Sequence, residues 1–564
     1  MEEVKQTLRS IISELYDIDV EPNVTPAPKN VDADLASNVV MTFAKRIGKA
    51  PMDVAKEVVE KFNEKNQAFS ASFAQPGFLN FKSADEYLID KLFGFGKDFT
   101  KNISQDEYFG QTVICEFSDP NPFKVLHVGH LYTSMVGDSI SRLVEFAGGK
   151  VVRANFGGDV GLHVAKTMYV LQNRTDEIND SMSNAEKVEV IAKCYVEGTR
   201  LYEDDEEAHD EITRLNGEIY KIAAAGKAES DSGFADLYWW GREASYDYFK
   251  DFYAKIGVKF DRFYPESTVA PRGLAEVLGH VGDVYEKSDG AVVFKGEKYG
   301  LHTRVFVNKN GLPTYEAKDV GLIYTKWDDY KFDKSIVITG NDIIEYMKVV
   351  LKSVSLMNPE LPERTVHLTH GNVRLPGNAK MSSRKGNFIK AEDVINDVAE
   401  ELAEERGEAS ADFKISMGAI KYAFLKYKIG GNIIFSAKES VSMTGNSGPY
   451  LQYSAVRAAK ILGKLMKNGV KDRNEKWVLT DSEKTLINKI IEYPEVLKSA
   501  VHELAPHQIC NYLYTLAQEF SRFYETTKVA GSECEFERGQ IVLAYLKVLT
   551  HGLSLLGIEV PEEM

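Results

Sequence analysis

The chain is poor in cysteine. Cys115, Cys194, Cys510 and Cys534 are its whole complement among 564 residues, and no two have C-x-x-C spacing. That excludes a disulfide framework and a cysteine-rich zinc site, and points to a reducing, cytoplasmic setting. A surplus of positive charge is also missing: 68 Lys and Arg stand against 84 Asp and Glu, a formal net charge of −16. A basic coat for nucleic acid is therefore absent, and a polyanionic partner would need local basic patches that work against the net field. No apolar stretch of about 18 residues runs without a charge, so no membrane span is expected. The opening Met1-Glu2-Glu3-Val4-Lys5 has no basic region leading into an apolar one, as a secretion signal would. With 42 Gly and 17 Pro, collagen-like and low-complexity architectures are excluded too. What remains is 44% apolar and 27% charged, ordinary for a soluble globular protein. The length suits about three or four domains.

Residues 1–95 open with Val4, Leu8, Ile11, Ile12 and Leu15 at helical spacing, broken between Pro22 and Pro28. A second helical stretch is read from Leu35, Val39, Val40, Phe43 and Ala44, followed by a Pro76-Gly77 turn and a strand at 78–81. From about 110 the pattern becomes β-α-β: strand 112–117, helix 131–146 and strand 151–154. Such a unit implies a parallel crossover and a nucleotide-fold-like sheet. Further strands are expected at 291–294, 305–307, 334–339 and 366–369. Between about 165 and 265 lies a helical insertion, whose acidic run 203–207 reads as a solvated face and whose Tyr238, Trp239 and Trp240 read as packing. After about 405 no strand pattern remains and a helix bundle closes the chain, notably over 509–524.

Four constellations carry chemistry. Residues 116–130 leave the first strand, cross a Pro-rich loop and enter a helix at His127-Val-Gly129-His130. Imidazoles three apart face the same way at a helix N-terminus, which already favours phosphate. Gly129 lets a flat base approach the backbone. This suits a triphosphate attacked at its α-phosphorus, with two histidines stabilising the developing charge; the bland alternative is two surface histidines. Second, Lys380-Met381-Ser382-Ser383-Arg384-Lys385 lies in a glycine-flanked loop able to wrap a pyrophosphate. Standing alone it would be a solvated basic loop. Third, Tyr315 and Asp319 sit at i, i+4, a pair that can bind a cation in a cleft or merely cap a helix. Fourth, Tyr450, Tyr453 and Arg457 share a helical face, followed by Lys460, Lys464 and Lys467. Aromatics interleaved with cations suit stacking of unpaired bases, and equally an amphipathic core helix with a basic outer face.

Together these motifs resemble the class I aminoacyl-tRNA synthetases, and within them the arginyl branch. His127 to His130 is similar to the family's H-I-G-H signature and Lys380 to Arg384 to its K-M-S-K-S loop. The arginyl branch is suggested by Glu116-Phe-Ser-Asp-Pro-Asn121, Gly158-Asp159-Val-Gly161, 315–319, 445–457 and the ending 555–564. The resemblance implies an α/β fold with a Rossmann-like parallel-sheet catalytic core at 105–435. An N-terminal α+β domain at 1–95 would contact the tRNA elbow, and an all-α anticodon-binding bundle would occupy 436–564. It implies an arginine–tRNA ligase that converts arginine and ATP to arginyl-adenylate and pyrophosphate, then passes arginine to the 3'-terminal ribose of tRNA(Arg). Catalysis is expected from His127, His130, Lys124 and Lys380, and ATP binding from His127, Gly129, His130 and residues 380–384. Glu116, Ser118, Asn121, Tyr315 and Asp319 would hold arginine, since a guanidinium wants planar acceptors and carboxylates. Tyr453, Arg457 and Tyr524 would contact tRNA. Magnesium is expected with ATP, with no dedicated metal cage, in a cytoplasmic, non-membrane protein that is monomeric.

Three positions depart from the family pattern. Asp119 stands where Ser is usual, Ser383 where the loop lysine is usual, and the pocket glutamine after strand 334–339 is missing, with Asn341 nearest. In arginyl enzymes lacking the loop lysine, a lysine before the histidine signature takes over, which points here to Lys124, with Arg384 and Lys385 as rivals on the loop.

Overall fold

The computed structural model describes all residues except 29, 99–105, 180, 230–231, 375, 377–388, 410, 468–472 and 475–476. One unit comprises Met1–Ile103, Arg457–Glu495 and Thr515–Leu549; the other comprises Ser104–Val456, Val496–Tyr514 and Thr550–Met564.

In the first unit the apolar stripe Val4, Leu8, Ile11 and Ile12 forms the buried face of helix Glu2–Tyr16. Pro51 starts helix Pro51–Lys65, where its missing N–H costs nothing. Both cover an antiparallel sheet of β1 (Val24–Pro26), β2 (Leu35–Ser37), β3 (Phe69–Ala74) and β4 (Phe78–Ser83), in the order β1-β2-β4-β3. Leu35, read as helical, is therefore in a strand: Leu35 to Ser37 pair with Phe81 to Leu79, and the helix beyond is only Val39–Phe43. Three residues are too few to show a period of two, so the sheet contact overrides the local spacing.

The second unit is built on β5 (Thr112–Glu116), β6 (Lys150–Gly157) and β7 (Arg262–Pro265). The chain then makes a separate antiparallel sheet, β8 (Glu286–Ser288), β9 (Ala291–Phe294) and β10 (Arg304–Val307), and returns through β11 (Lys334–Gly340) and β12 (Thr365–His370). The main sheet has the order β12-β11-β5-β6-β7 and every neighbour pair is parallel. Ile114, Val152, Ala154 and Val337 of its strands are buried with Val320 and Val350 of the flanking helices. β7 falls inside the stretch read as wholly helical. Its Arg-Phe-Tyr-Pro sequence hides a strand, and only an edge position tolerates the proline. The rest of the insertion is helical: Leu162–Leu171, Asn184–Asp204, Glu206–Ala225 and Gly233–Ile256. The acidic run is exposed as expected, but Asp205 within it caps the third of these helices through Ala208 N–H at 2.9 Å. Tyr238 and Trp239 are buried against the insertion core. A two-residue pairing of β13 (Val373–Arg374) with β14 (Ile433–Ile434) corrects the expectation of no strand after 405; strands that short leave no pattern. Among the described residues no helix is long and apolar enough to cross a membrane.

Candidate active site

From β5 the chain steps outward through β6 to β7, then crosses back to β11 and β12 on the other side. The reversal leaves a crevice at the carboxyl ends of β5 and β11, where open α/β sheets bind ligands. A cavity of about 810 Å³ opens there, walled by the end of β5, the loop into helix Val128–Phe146, the start of helix Tyr315–Tyr330 and the ends of β11 and β12. His127, Gly129, His130, Glu116, Ser118, Asn121, Tyr315 and Asp319, each singled out from the sequence, all line it.

His127 caps the helix: its Nδ1 accepts from the Gly129 N–H at 3.1 Å, while His130 Nδ1 accepts from the His127 N–H at 3.2 Å. The rings stack at 3.7 Å. Burial pushes His127 down to about 4 with help from the Lys124 charge. Burial also holds His130 well below the ordinary histidine range, with His127 and Lys124 adding to it. Both imidazoles are thus neutral at pH 7. With each Nδ1 occupied as an acceptor, the ring proton is assigned to Nε2, which makes two N–H donors.

The loop before this helix is shaped by its polar side chains. Asp119 Oδ1 accepts from Phe156 N–H at 2.8 Å and Asn121 Oδ1 from Gly158 N–H at 3.1 Å, so residues two apart bind backbone groups two apart at the end of β6. A Cβ at position 158 would lie 2.4 Å from Asn121 Oδ1, so glycine is required for that approach. Ser118 and Asp119 adopt φ values of 74° and 47°, a left-handed conformation that such anchors maintain. The Ser118 hydroxyl is bonded to Tyr253 Oη at 2.8 Å and Ser134 Oγ at 2.9 Å.

The carboxylates differ in their partners. Glu116 Oε2 lies 2.5 Å from Lys326 Nζ, with both side chains buried. Asp319 accepts a hydrogen bond from the Tyr346 hydroxyl and has no salt bridge to a described residue. Burial pushes the Asp319 carboxyl up to about 7 against the Tyr346 bond, with Glu116 and Glu266 adding to the rise. Asp119 is held well above the ordinary range by burial and then by Glu116. The cavity is therefore lined by two buried carboxyls raised above the ordinary range and by two neutral imidazoles.

Residues 97–436 match the family description "tRNA synthetases class I (R), catalytic domain", more than half of the chain. The chain belongs to the class I arginyl-tRNA synthetases. It is an arginine–tRNA ligase. Residues 2–83 match the arginyl tRNA synthetase N terminal domain and 451–564 the DALR anticodon binding domain. Among curated relatives, the arginine–tRNA ligase of Parabacteroides distasonis is 28% identical, covering 98% of each chain. That of Treponema denticola is also 28% identical and covers both chains completely. In fold, the synthetase is similar to Thermus thermophilus arginyl-tRNA synthetase, with a TM-score of 0.78, 22% identity and complete coverage of both chains. The Plasmodium falciparum enzyme gives 0.77 and 19%, covering 100% of this chain and 99% of that one.

Elsewhere in the synthetase, Lys380, Met381, Ser382, Ser383 and Arg384 lie outside the described residues. Lys124 is half-buried beside the histidines, over the Tyr195 ring. Tyr453 lies on helix Gly448–Lys467, and the Arg457 guanidinium sits 5.0 Å over the half-exposed Tyr524 ring. Asn341, the nearest stand-in for the missing glutamine, instead donates to the Gly430 carbonyl at 2.8 Å and does not line the cavity. Sequence reasoning missed Tyr346, Lys326 and His370, the last bonded to Thr133 Oγ1 at 2.6 Å on the cavity wall. Each comes from an ordinary-looking helix or strand and is brought in only by the tertiary fold.

Proposed function

We propose that arginine lies with its guanidinium on the Asp319–Tyr346 pair and its carboxylate toward the His127–His130 helix terminus, where the ATP phosphates rest. The observation that supports this reading is that one cavity is lined both by Asp319, a carboxylate with no salt bridge to a described residue, and by the His127–His130 pair at a helix N-terminus. Glu116, already neutralised by Lys326, braces the floor and tunes Asp319. Tyr315, 55% exposed, covers the guanidinium from the lip. Asn121, with its Oδ1 committed, turns its amide N–H toward the amino acid, and Ser118 holds the loop.

Attack of the arginine carboxylate on the α-phosphorus expels pyrophosphate and leaves arginyl-adenylate; the two N–H donors stabilise the charge that grows on the α-phosphate. A terminal ribose hydroxyl of tRNA(Arg) then attacks the adenylate carbonyl and AMP departs. Gly129 permits the adenine to lie close, residues 380–384 close over the phosphates, and Lys124 supplies the cation that Ser383 lacks, with Arg384 its rival. Magnesium neutralises phosphate charge when bound to ATP; among the described residues no group of three His, Cys, Asp or Glu is placed to hold it independently. Residues 1–95 take the tRNA elbow, and the bundle 436–564 takes the anticodon through Tyr453, Arg457 and Tyr524. The enzyme works as a cytoplasmic monomer.

The test is charging of total tRNA with each of the twenty amino acids and ATP. Arginine alone should be attached, with pyrophosphate exchange dependent on arginine in the presence of tRNA. Attachment of another amino acid, or none, overturns the reading.

A further inference from the structure

We propose that Tyr195, on the insertion helix Asn184–Asp204, is a positioning residue for adenylate formation: its ring holds the Lys124 ammonium beside the phosphate-binding helix terminus. The proposal rests on the reading of Lys124 as the phosphate cation. The Lys124 Nζ lies 4.5 Å from the Tyr195 ring centroid, within cation–π range. No salt bridge to a described residue holds it. That distinction matters chemically. A carboxylate partner would fix the lysine but cancel the charge that a departing pyrophosphate needs, whereas an aromatic face fixes it and leaves the charge intact. The charge is in the right place, since it is felt at His127, His130, His163 and Glu266.

Tyr195 can act this way because its helix is seated firmly on either side. Ile191 and Cys194 are buried in the insertion core. One turn on, Gly198 brings the helix so close to helix Leu162–Leu171 that a Cβ there would lie 2.0 Å from the Lys166 carbonyl oxygen. Toward its start, Glu189 is ion-paired with Lys390. Lys390 is itself clasped to the histidine segment: Val128 N–H donates to the Ile389 carbonyl and Ala391 N–H to the Leu126 carbonyl, each at 3.0 Å. The same helix thus grips the chain at Lys390 and presents an aromatic face to the lysine before the histidines. An insertion that packs outside the catalytic sheet acquires in this way an indirect part in phosphate chemistry, through Lys124.

The experiment measures single-turnover adenylate formation, with arginine and ATP KM values, for Lys124→Ala, Tyr195→Leu, Tyr195→Phe and the double variant Lys124→Ala/Tyr195→Leu. Tyr195→Leu should slow the step about 3–30-fold, the range from an exposed to a desolvated cation–π contact, with KM values little changed. Tyr195→Phe, which keeps the ring, should restore the rate, and Tyr195→Leu should add nothing in the Lys124→Ala background. A slow Lys124→Ala beside a normal Tyr195→Leu overturns the positioning role and leaves the lysine reading standing. A normal Lys124→Ala overturns both. Equal slowing by Tyr195→Leu with and without Lys124 shows that the ring serves packing alone and also overturns the proposal.

Discussion

The Lys326 ammonium lies 2.5 Å from Glu116 Oε2 and 3.0 Å from Ser335 Oγ, beneath the cavity that Glu116 lines. Lys326 reaches it from helix Tyr315–Tyr330, the helix that also presents Asp319 to the cavity. A buried charge pair is costly to break from one side, because the remaining charge has neither water nor partner. Glu116→Gln should therefore destabilise the fold by about 3–5 kcal/mol, read as a lowered denaturation midpoint. Glu116→Gln combined with Lys326→Met should recover most of that loss. Should the single variant keep its midpoint while the arginine KM rises steeply, Glu116 is a ligand group and not a brace.

The contrast between Glu116 and Asp319 shows where a sequence stops being legible. Both carboxylates sit in motifs, and both were expected to face a guanidinium. Nothing near Glu116 announces Lys326, 210 residues away, because only the parallel pairing of β5 with β11 and the overlying helix brings them together. The histidine pair was legible for the opposite reason: a helix N-cap and its third residue are local, and local geometry is written in spacing. The parallel core was legible from apolar strands such as Thr112–Glu116, while Leu35–Ser37 was masked by the helically spaced Val39, Val40 and Phe43 that follow it, and the edge strand Arg262–Pro265 by its arginine and proline. Tyr346 could be found only from the fold, since its hydroxyl meets Asp319 across 27 residues.

Neutral histidines make a distinctive kinetic statement. If the Nε2–H groups act as fixed donors to the α-phosphate, His130→Ala should lower kcat by about 10²–10³-fold, with little change in KM for ATP or arginine. Because burial holds both rings well below the ordinary range, neither should protonate between pH 6 and 8. Single-turnover rates at saturating substrates should then show no inflection from these rings near about 6.5. Near-normal adenylate formation in His127→Ala and His130→Ala alike would remove them from the chemistry.

The proposed tRNA contact at Arg457 and Tyr524 rests on a ring half open to solvent with a guanidinium over it. Tyr524→Ala should raise KM for tRNA by the equivalent of about 1–3 kcal/mol, leaving the arginine and ATP KM values as they were. Tyr453→Ala should act in the same direction. Unchanged binding of whole tRNA by both variants would place the RNA on another face.

The proposed contact of Asp319 with the guanidinium would tie arginine binding to pH. The Asp319 carboxyl, ordinarily near 3.8, is pushed up to about 7 by burial, against the Tyr346 hydrogen bond. Between those values the folded chain holds a proton that the unfolded chain has already lost. This group's contribution therefore favours the native state at the acidic end and falls away as pH rises toward 7, the reverse of an ordinary salt-bridged carboxylate. A bound guanidinium favours the ionised form and lowers the pKa again, so binding below 7 must displace that proton. Arginine affinity should be flat above about pH 7 and weaken by up to tenfold per unit below it, while neither the guanidinium nor the carboxylate of arginine titrates in that window. Asp119, raised in the same sense, adds to the slope if it ionises too. Asp319→Asn should weaken arginine by about 2–5 kcal/mol, narrow the preference over citrulline and remove most of the pH dependence. Calorimetric titration of arginine from about pH 5.5 to 8.5 reads all three. An affinity in the unaltered enzyme that is level across that range, with Asp319→Asn binding equally well, would mean that the guanidinium is met by another carboxylate.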